Sequence, residues 1–144
     1  MKQKHITYSA TQTKNLGKRM SQKTLKSKDA VVISLKGELG SGKTTFVQGL
    51  AIGLGIKDKI LSPTFVLMKK YKIPNTKKQF YHIDCYRIKK APDLSALNLE
   101  KLFLDPQNII AIEWAERIEK ILPKNTIVLN FKLKSQERRE ILIN

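Results

Sequence analysis

The apolar positions fall into short runs whose spacing changes from one segment to the next. His5 to Tyr8 has the look of a short strand, and from Thr11 to about Lys26 the residues Leu16, Met20 and Leu25 recur at roughly helical spacing. Ala30-Val31-Val32-Ile33-Ser34-Leu35 is a β-branched run of strand length. It is followed by Gly37-Glu38-Leu39-Gly40-Ser41-Gly42, which no strand could continue, and helical spacing resumes from Thr44 to about Leu54. Phe65 to Ile73 and Gln79 to Ile83 predict a hairpin around the turn Pro74 to Lys78. Pro92 to Phe103 predicts a helix with Pro92 in its first turn, and Asn108 to Ile112 an apolar strand. Ala115 to Leu122 predicts a helix stopped by Pro123, and Thr126 to Leu133 with Arg139 to Ile143 a closing pair of strands around a polar turn. Such alternation predicts the α/β class, with a mixed central β-sheet flanked by helices.

Composition narrows the picture. With 144 residues, 41% of them hydrophobic, the chain is long enough for a sizeable core without disulfides or a structural metal. Its one cysteine, Cys85, allows no internal disulfide, and His5 and His82 offer no Cys/His metal spacing. No stretch approaches the ~18 apolar residues of a membrane span, and the start runs through Lys2 and Lys4 without an apolar signal core. The expectation is a cytoplasmic protein with no membrane partner. The formal net charge of +16 is carried by 23 Lys and only 5 Arg. Sites that read phosphate geometry bidentately favour Arg, so the excess reads first as solvated lysine faces and only second as a polyanion surface.

Gly37-Glu38-Leu39-Gly40-Ser41-Gly42-Lys43-Thr44 fits the pattern G-x-x-x-x-G-K-[ST]. Glycines let the backbone close around an oxyanion with its N–H groups inward, and the following helix N-terminus adds partial positive charge. In this pattern the lysine, Lys43, reaches the β- and γ-phosphates and the hydroxyl of Thr44 ligates Mg²⁺. At this chain's own residue frequencies the pattern arises by accident in roughly 0.6% of such chains, and the required strand before and helix after are both predicted. The whole chain, 1–144, thus reads as a single P-loop NTPase-like domain.

Hydrolysis also needs carboxylates to hold the metal and position the nucleophile. Glu113 closes the apolar run Asn108 to Ile112, and Asp84 closes Phe80 to Ile83. One acid is expected to serve the metal and the other the attacking water, and the residues alone leave the order open. Ser62-Pro63-Thr64-Phe65 follows the P-loop helix and brings hydroxyls toward the γ-phosphate in the manner of a switch segment, or simply starts the next strand. Cys85 reads as a small buried filler.

In order along the chain stand Thr13-Lys14-Asn15-Leu16-Gly17, the P-loop GELGSGKTTF, SPTF, HIDCYR from His82 to Arg87 and IEWAER from Ile112 to Arg117. This set resembles the TsaE (YjeE) family of small P-loop ATPases in bacterial tRNA threonylcarbamoyladenosine synthesis. The resemblance implies an ATP- or ADP-binding, Mg²⁺-dependent ATPase that docks on a TsaB–TsaD heterodimer and drives its turnover. The threonylcarbamoyl transfer itself would belong to TsaD. It implies that Glu38, Leu39, Gly40, Ser41, Gly42, Lys43, Thr44 and Thr45 hold the phosphates and that Thr44 and Glu113 hold Mg²⁺. Lys43, Asp84 and Glu113 would serve catalysis, with Thr64 in the switch and Trp114 beside the site. Thr13 and the basic turn near Arg138 would approach base and ribose. Any tRNA contact is expected to be indirect or weak, with no DNA partner. His82 and Tyr86 read as packing residues as readily as functional ones. The rival readings are a P-loop small-molecule kinase, for which no arginine-rich lid is visible, and a basic RNA-binding module that senses nucleotide.

Overall fold

The computed structural model describes residues 2–62, 67–88 and 98–144. Seven strands form one sheet: β1 (Gln3–Thr7), β2 (Val31–Gly37), β3 (Met68–Lys72), β4 (Gln79–Asp84), β5 (Asn108–Glu113), β6 (Ile127–Leu133) and β7 (Arg139–Ile143). Their spatial order is β1-β7-β6-β2-β5-β4-β3. The four inner strands β6, β2, β5 and β4 run parallel, while β7, β1 and β3 add antiparallel edges. The sheet is therefore mixed, as the alternation of elements predicts. Every residue of β5 is buried, because a parallel strand covered on both faces has no solvent side.

Helices α1 (Ala10–Lys26) and α2 (Lys43–Gly53) cover one face; α3 (Leu99–Leu104) and a 3-10 segment, Ala115–Ile121, contribute to the core on the other. Ser9 caps α1 by accepting from the Gln12 amide at 3.1 Å, while the Gln12 side chain accepts from the Tyr8 amide at 2.8 Å, a variant of the capping box. That cap ends β1 at Thr7, one residue short of the predicted Tyr8. Between α1 and α2 the backbones nearly touch: a Cβ on Gly49 would lie 2.0 Å from the Lys14 carbonyl oxygen. Only glycine permits this approach, which sets α2 firmly under the P-loop.

One other expectation changes. Ala115 to Leu122 is not an α-helix but a 3-10 segment interrupted at Ile118. Its inward residues Ala115, Ile118 and Ile121 are spaced by three, the period at which 3-10 side chains eclipse. The described part of the Phe65 to Ile73 strand pairs over Met68–Lys72, and the described part of the Pro92 to Phe103 helix is Leu99–Leu104. Phe65 and Val66 of the strand and residues 92–97 of the helix fall outside the described residues. The exposed lysines Lys70 and Lys72 lie on the edge strand β3, where charge discourages pairing with another sheet. No described helix is long and apolar enough to cross a membrane.

Candidate active site

In an open α/β sheet, ligands bind outside the carboxyl ends of the parallel strands. Here the ends of β2, β4 and β5 meet at such a place. Leu35 pairs with Glu113 and Glu113 with Asp84, so the residues just before the P-loop and both strand-end acids share one row. A cavity of about 360 Å³ opens there, lined by residues 39–45, Ser62, Asp84, Tyr86, Glu113, Trp114 and Arg139.

The loop folds as the glycine spacing requires. Gly42, the residue before α2, takes φ +104°, a conformation that L side chains rarely adopt, and its carbonyl receives the Phe46 amide at 3.0 Å. Lys43 bends back over the loop, donating to the carbonyls of Gly37 and Glu38, with its ammonium 4.3 Å from the centre of the Trp114 ring. Burial pushes the Lys43 pKa below the ordinary lysine value, with Glu113 foremost among the nearby acids acting in the other direction. Trp114 itself has φ +58°, uncommon for a bulky residue, and its ring rests against Tyr86 with centroids 4.9 Å apart.

The two acids are 5% and 3% exposed, Asp84 and Glu113 respectively, and face the same cavity. The Thr44 hydroxyl donates to Glu113 Oε1 at 2.8 Å. The other oxygen of Glu113 lies 2.5 Å from Nε2 of the wholly buried His82. Asp84 accepts from the Ser62 hydroxyl and from the Tyr86 amide, each at 2.9 Å. Two nearly buried carboxylates, one hydroxyl and one ammonium leave local negative charge presented by oxygen atoms, a donor set suited to Mg²⁺. Among the described residues no group of three or more His, Cys, Asp or Glu side chains could hold a metal without help. Thr44 and Glu113 could hold one whose remaining positions are filled by water and phosphate oxygens.

A second cavity of about 170 Å³ adjoins the first across Gly42, Thr45 and Arg139, and Thr13 forms part of its wall. Thr13 turns its hydroxyl to Thr7, 2.7 Å away, and its methyl toward Gly42. In the basic turn the neighbouring Arg139 is the residue that reaches the loop. Arg138 lines neither cavity, its guanidinium lying 5.8 Å from the Tyr8 ring centre, whereas Arg139 lines both and donates to the Gly40 carbonyl at 3.3 Å. Successive residues of a strand point to opposite faces, so a shift of one position exchanges the two arginines. Thr64 lies outside the described residues, and Ser62 is the described part of that segment that reaches the site. Glu38 contributes its carbonyl to Lys43. The sequence places the Ser62 segment near the site but singles out neither Arg139 nor the His82 contact. The period-two alternation of β7 and of β4 was the signal available for these two.

Fold and loop together define the class, an α/β P-loop protein. Residues 7–141 match the family described as "Threonylcarbamoyl adenosine biosynthesis protein TsaE", and the chain belongs to that family. It is 38% identical over 136 residues to the tRNA threonylcarbamoyladenosine biosynthesis protein TsaE of Rickettsia typhi, covering 94% of this chain and 90% of that protein. The protein of the same name from Treponema pallidum is 36% identical over 112 residues, covering 78% of this chain and 80% of its own length. The crystal structure of YdiB from Bacillus subtilis is similar over 99% of this chain and 84% of that one, with TM-score 0.79 and 30% identity.

Proposed function

We propose that this chain binds ATP with Mg²⁺ at the P-loop and hydrolyses it, and that the cycle supports threonylcarbamoyladenosine formation on tRNA by a TsaB–TsaD pair. The observation that carries the reading is the Thr44–Glu113 hydrogen bond at the loop mouth, with Asp84 in the adjacent register position. The names of the relatives support the tRNA pathway, and the P-loop supports the nucleotide.

Lys43 exchanges the carbonyls of Gly37 and Glu38 for phosphate oxygens, while inward backbone amides and the start of α2 hold the same charge. Thr44 and Glu113 would hold Mg²⁺, which would supply neutralisation of phosphate charge. Asp84 orients the attacking water by accepting its hydrogen bond. The water oxygen bonds to the γ-phosphorus as the bond to the β–γ bridging oxygen breaks, giving ADP, phosphate and a released proton. With Asp84 held through Ser62 to a connecting segment, turnover by the isolated chain is slow and rises when a partner completes the site.

The test is an ATPase assay of the purified chain alone and with its cognate TsaB–TsaD pair. Slow turnover alone, stimulated by the pair, is the expected result. Fast turnover that the pair leaves unchanged would overturn the partner reading, and nucleotide-sensitive binding of RNA with a steep salt dependence would favour the RNA-binding alternative.

A further inference from the structure

We infer that His82 is a positioning residue for the magnesium site, holding Glu113 so that one of its oxygens stays at the Thr44 hydroxyl. The inference rests on the nucleotide and magnesium reading above. Glu113 is gripped at both oxygens: Thr44 donates to Oε1 at 2.8 Å and His82 Nε2 lies 2.5 Å from Oε2. A carboxylate oxygen accepts, and the imidazole tautomer with its hydrogen on Nε2 is the one that donates to it. Among the described residues Nδ1 meets no partner, and the polar contact they give the ring is the one with Glu113.

Strand pairing produces this contact. His82 stands opposite Ala111 in the β4–β5 ladder, and Asp84 opposite Glu113. Residues two apart on a strand share a face, so His82 lies on the face of both acids, one pair deeper, and reaches diagonally to Glu113. The small Ala111 opposite leaves the ring room. Because both residues belong to fully buried stretches of central strands, the carboxylate orientation is set by the scaffold and not by a loop. Groups that orient a metal's ligands in this way typically matter about 10–100-fold for metal affinity or activity. A residue that merely filled space would be replaced without loss by an apolar side chain of similar volume.

Calorimetric titration of the full chain with ADP, in EDTA and across a series of Mg²⁺ concentrations, separates these roles. His82→Leu keeps approximate volume without a donor, whereas His82→Gln returns an N–H donor near the position of Nε2. In His82→Leu the gain in ADP affinity given by Mg²⁺ is expected to fall about 10–100-fold, with ADP binding in EDTA unchanged, and in His82→Gln most of the gain returns. An undiminished magnesium gain in His82→Leu, or equal losses in the Leu and Gln variants, would overturn the assignment. Should His82→Leu fail to fold, His82→Asn, whose shorter amide falls short of Glu113, replaces it in the comparison with Gln under the same outcomes. Unaltered chain that binds ADP equally well with and without Mg²⁺ would overturn the magnesium reading itself, and with it this role.

Discussion

At the end of β5, Glu113 is gripped by side chains from two regular elements, Thr44 at the start of α2 and His82 within β4. At the adjoining end of β4, Asp84 is held by the hydroxyl of Ser62 from a connecting segment and by the Tyr86 amide of its own turn. The two acids stand opposite each other in one ladder and face one cavity, yet the carboxylate of one is held from regular elements and that of the other from connecting segments. Moving Glu113 would require shifting α2 or the central sheet, whereas one of the hydrogen bonds that orient Asp84 comes from the segment carrying Ser62.

Exchanging the charges breaks this comparison most severely. Asp84→Asn is expected to leave nucleotide affinity nearly unchanged while lowering hydrolysis about 10²–10⁴-fold, read by calorimetry beside single-turnover kinetics. Glu113→Gln should instead remove the magnesium gain in nucleotide affinity, by at least the 10–100-fold expected for an outer partner. Equal loss of binding in both variants would contradict the division of roles. The rigidity of the Glu113 side can be attacked from beneath: Gly49→Ala forces a Cβ against the Lys14 carbonyl and should destabilise the fold by about 1–3 kcal/mol, read as a lower Tm. On the Asp84 side, Ser62→Ala removes one hydrogen bond to the carboxylate. Hydrolysis should fall about 2–10-fold without a change in nucleotide affinity.

The smallest effect at neutral pH concerns Cys85, one residue past Asp84 and turned into the core opposite α2. Burial first, then Asp84 and Glu116, push its thiol above the ordinary cysteine range, up to about 12. Unfolded chain releases that proton near pH 9 and folded chain keeps it, so the contribution to stability is whole below pH 9 and is lost as pH rises toward 12. Native Cys85 should resist alkylation at pH 8 and react once the chain is unfolded in urea, as thiol labelling would show.

Much of this arrangement is legible in the chain itself. The inner strands are continuous apolar runs because both their faces are covered, so Val31 to Leu35 and Asn108 to Ile112 stand out without alternation. The P-loop is legible because its spacing has few other uses. Legibility fails where an answer depends on register or on a partner across the sheet. One position separates Arg138 from Arg139, and only the pairing of β7 decides which of them meets Gly40. His82 reads as core because burial and a hydrogen bond to Glu113 leave the same trace in a single sequence. The 3-10 segment reads as an α-helix because a stretch of seven residues scarcely separates a period of three from one of 3.6.

The position of β2 also bears on how the site comes into being. Its lateral neighbours are β5 and β6, so Leu35, two residues before the P-loop, must wait for Glu113 and Leu129. During synthesis the phosphate loop emerges early and stays without a sheet on either side until most of the chain has followed. Such distant pairings are slow to close and leave an apolar strand uncovered in the interval. The nascent chain therefore passes through a stage in which the most recognisable part of its sequence has no flanking strand to hold its loop in place.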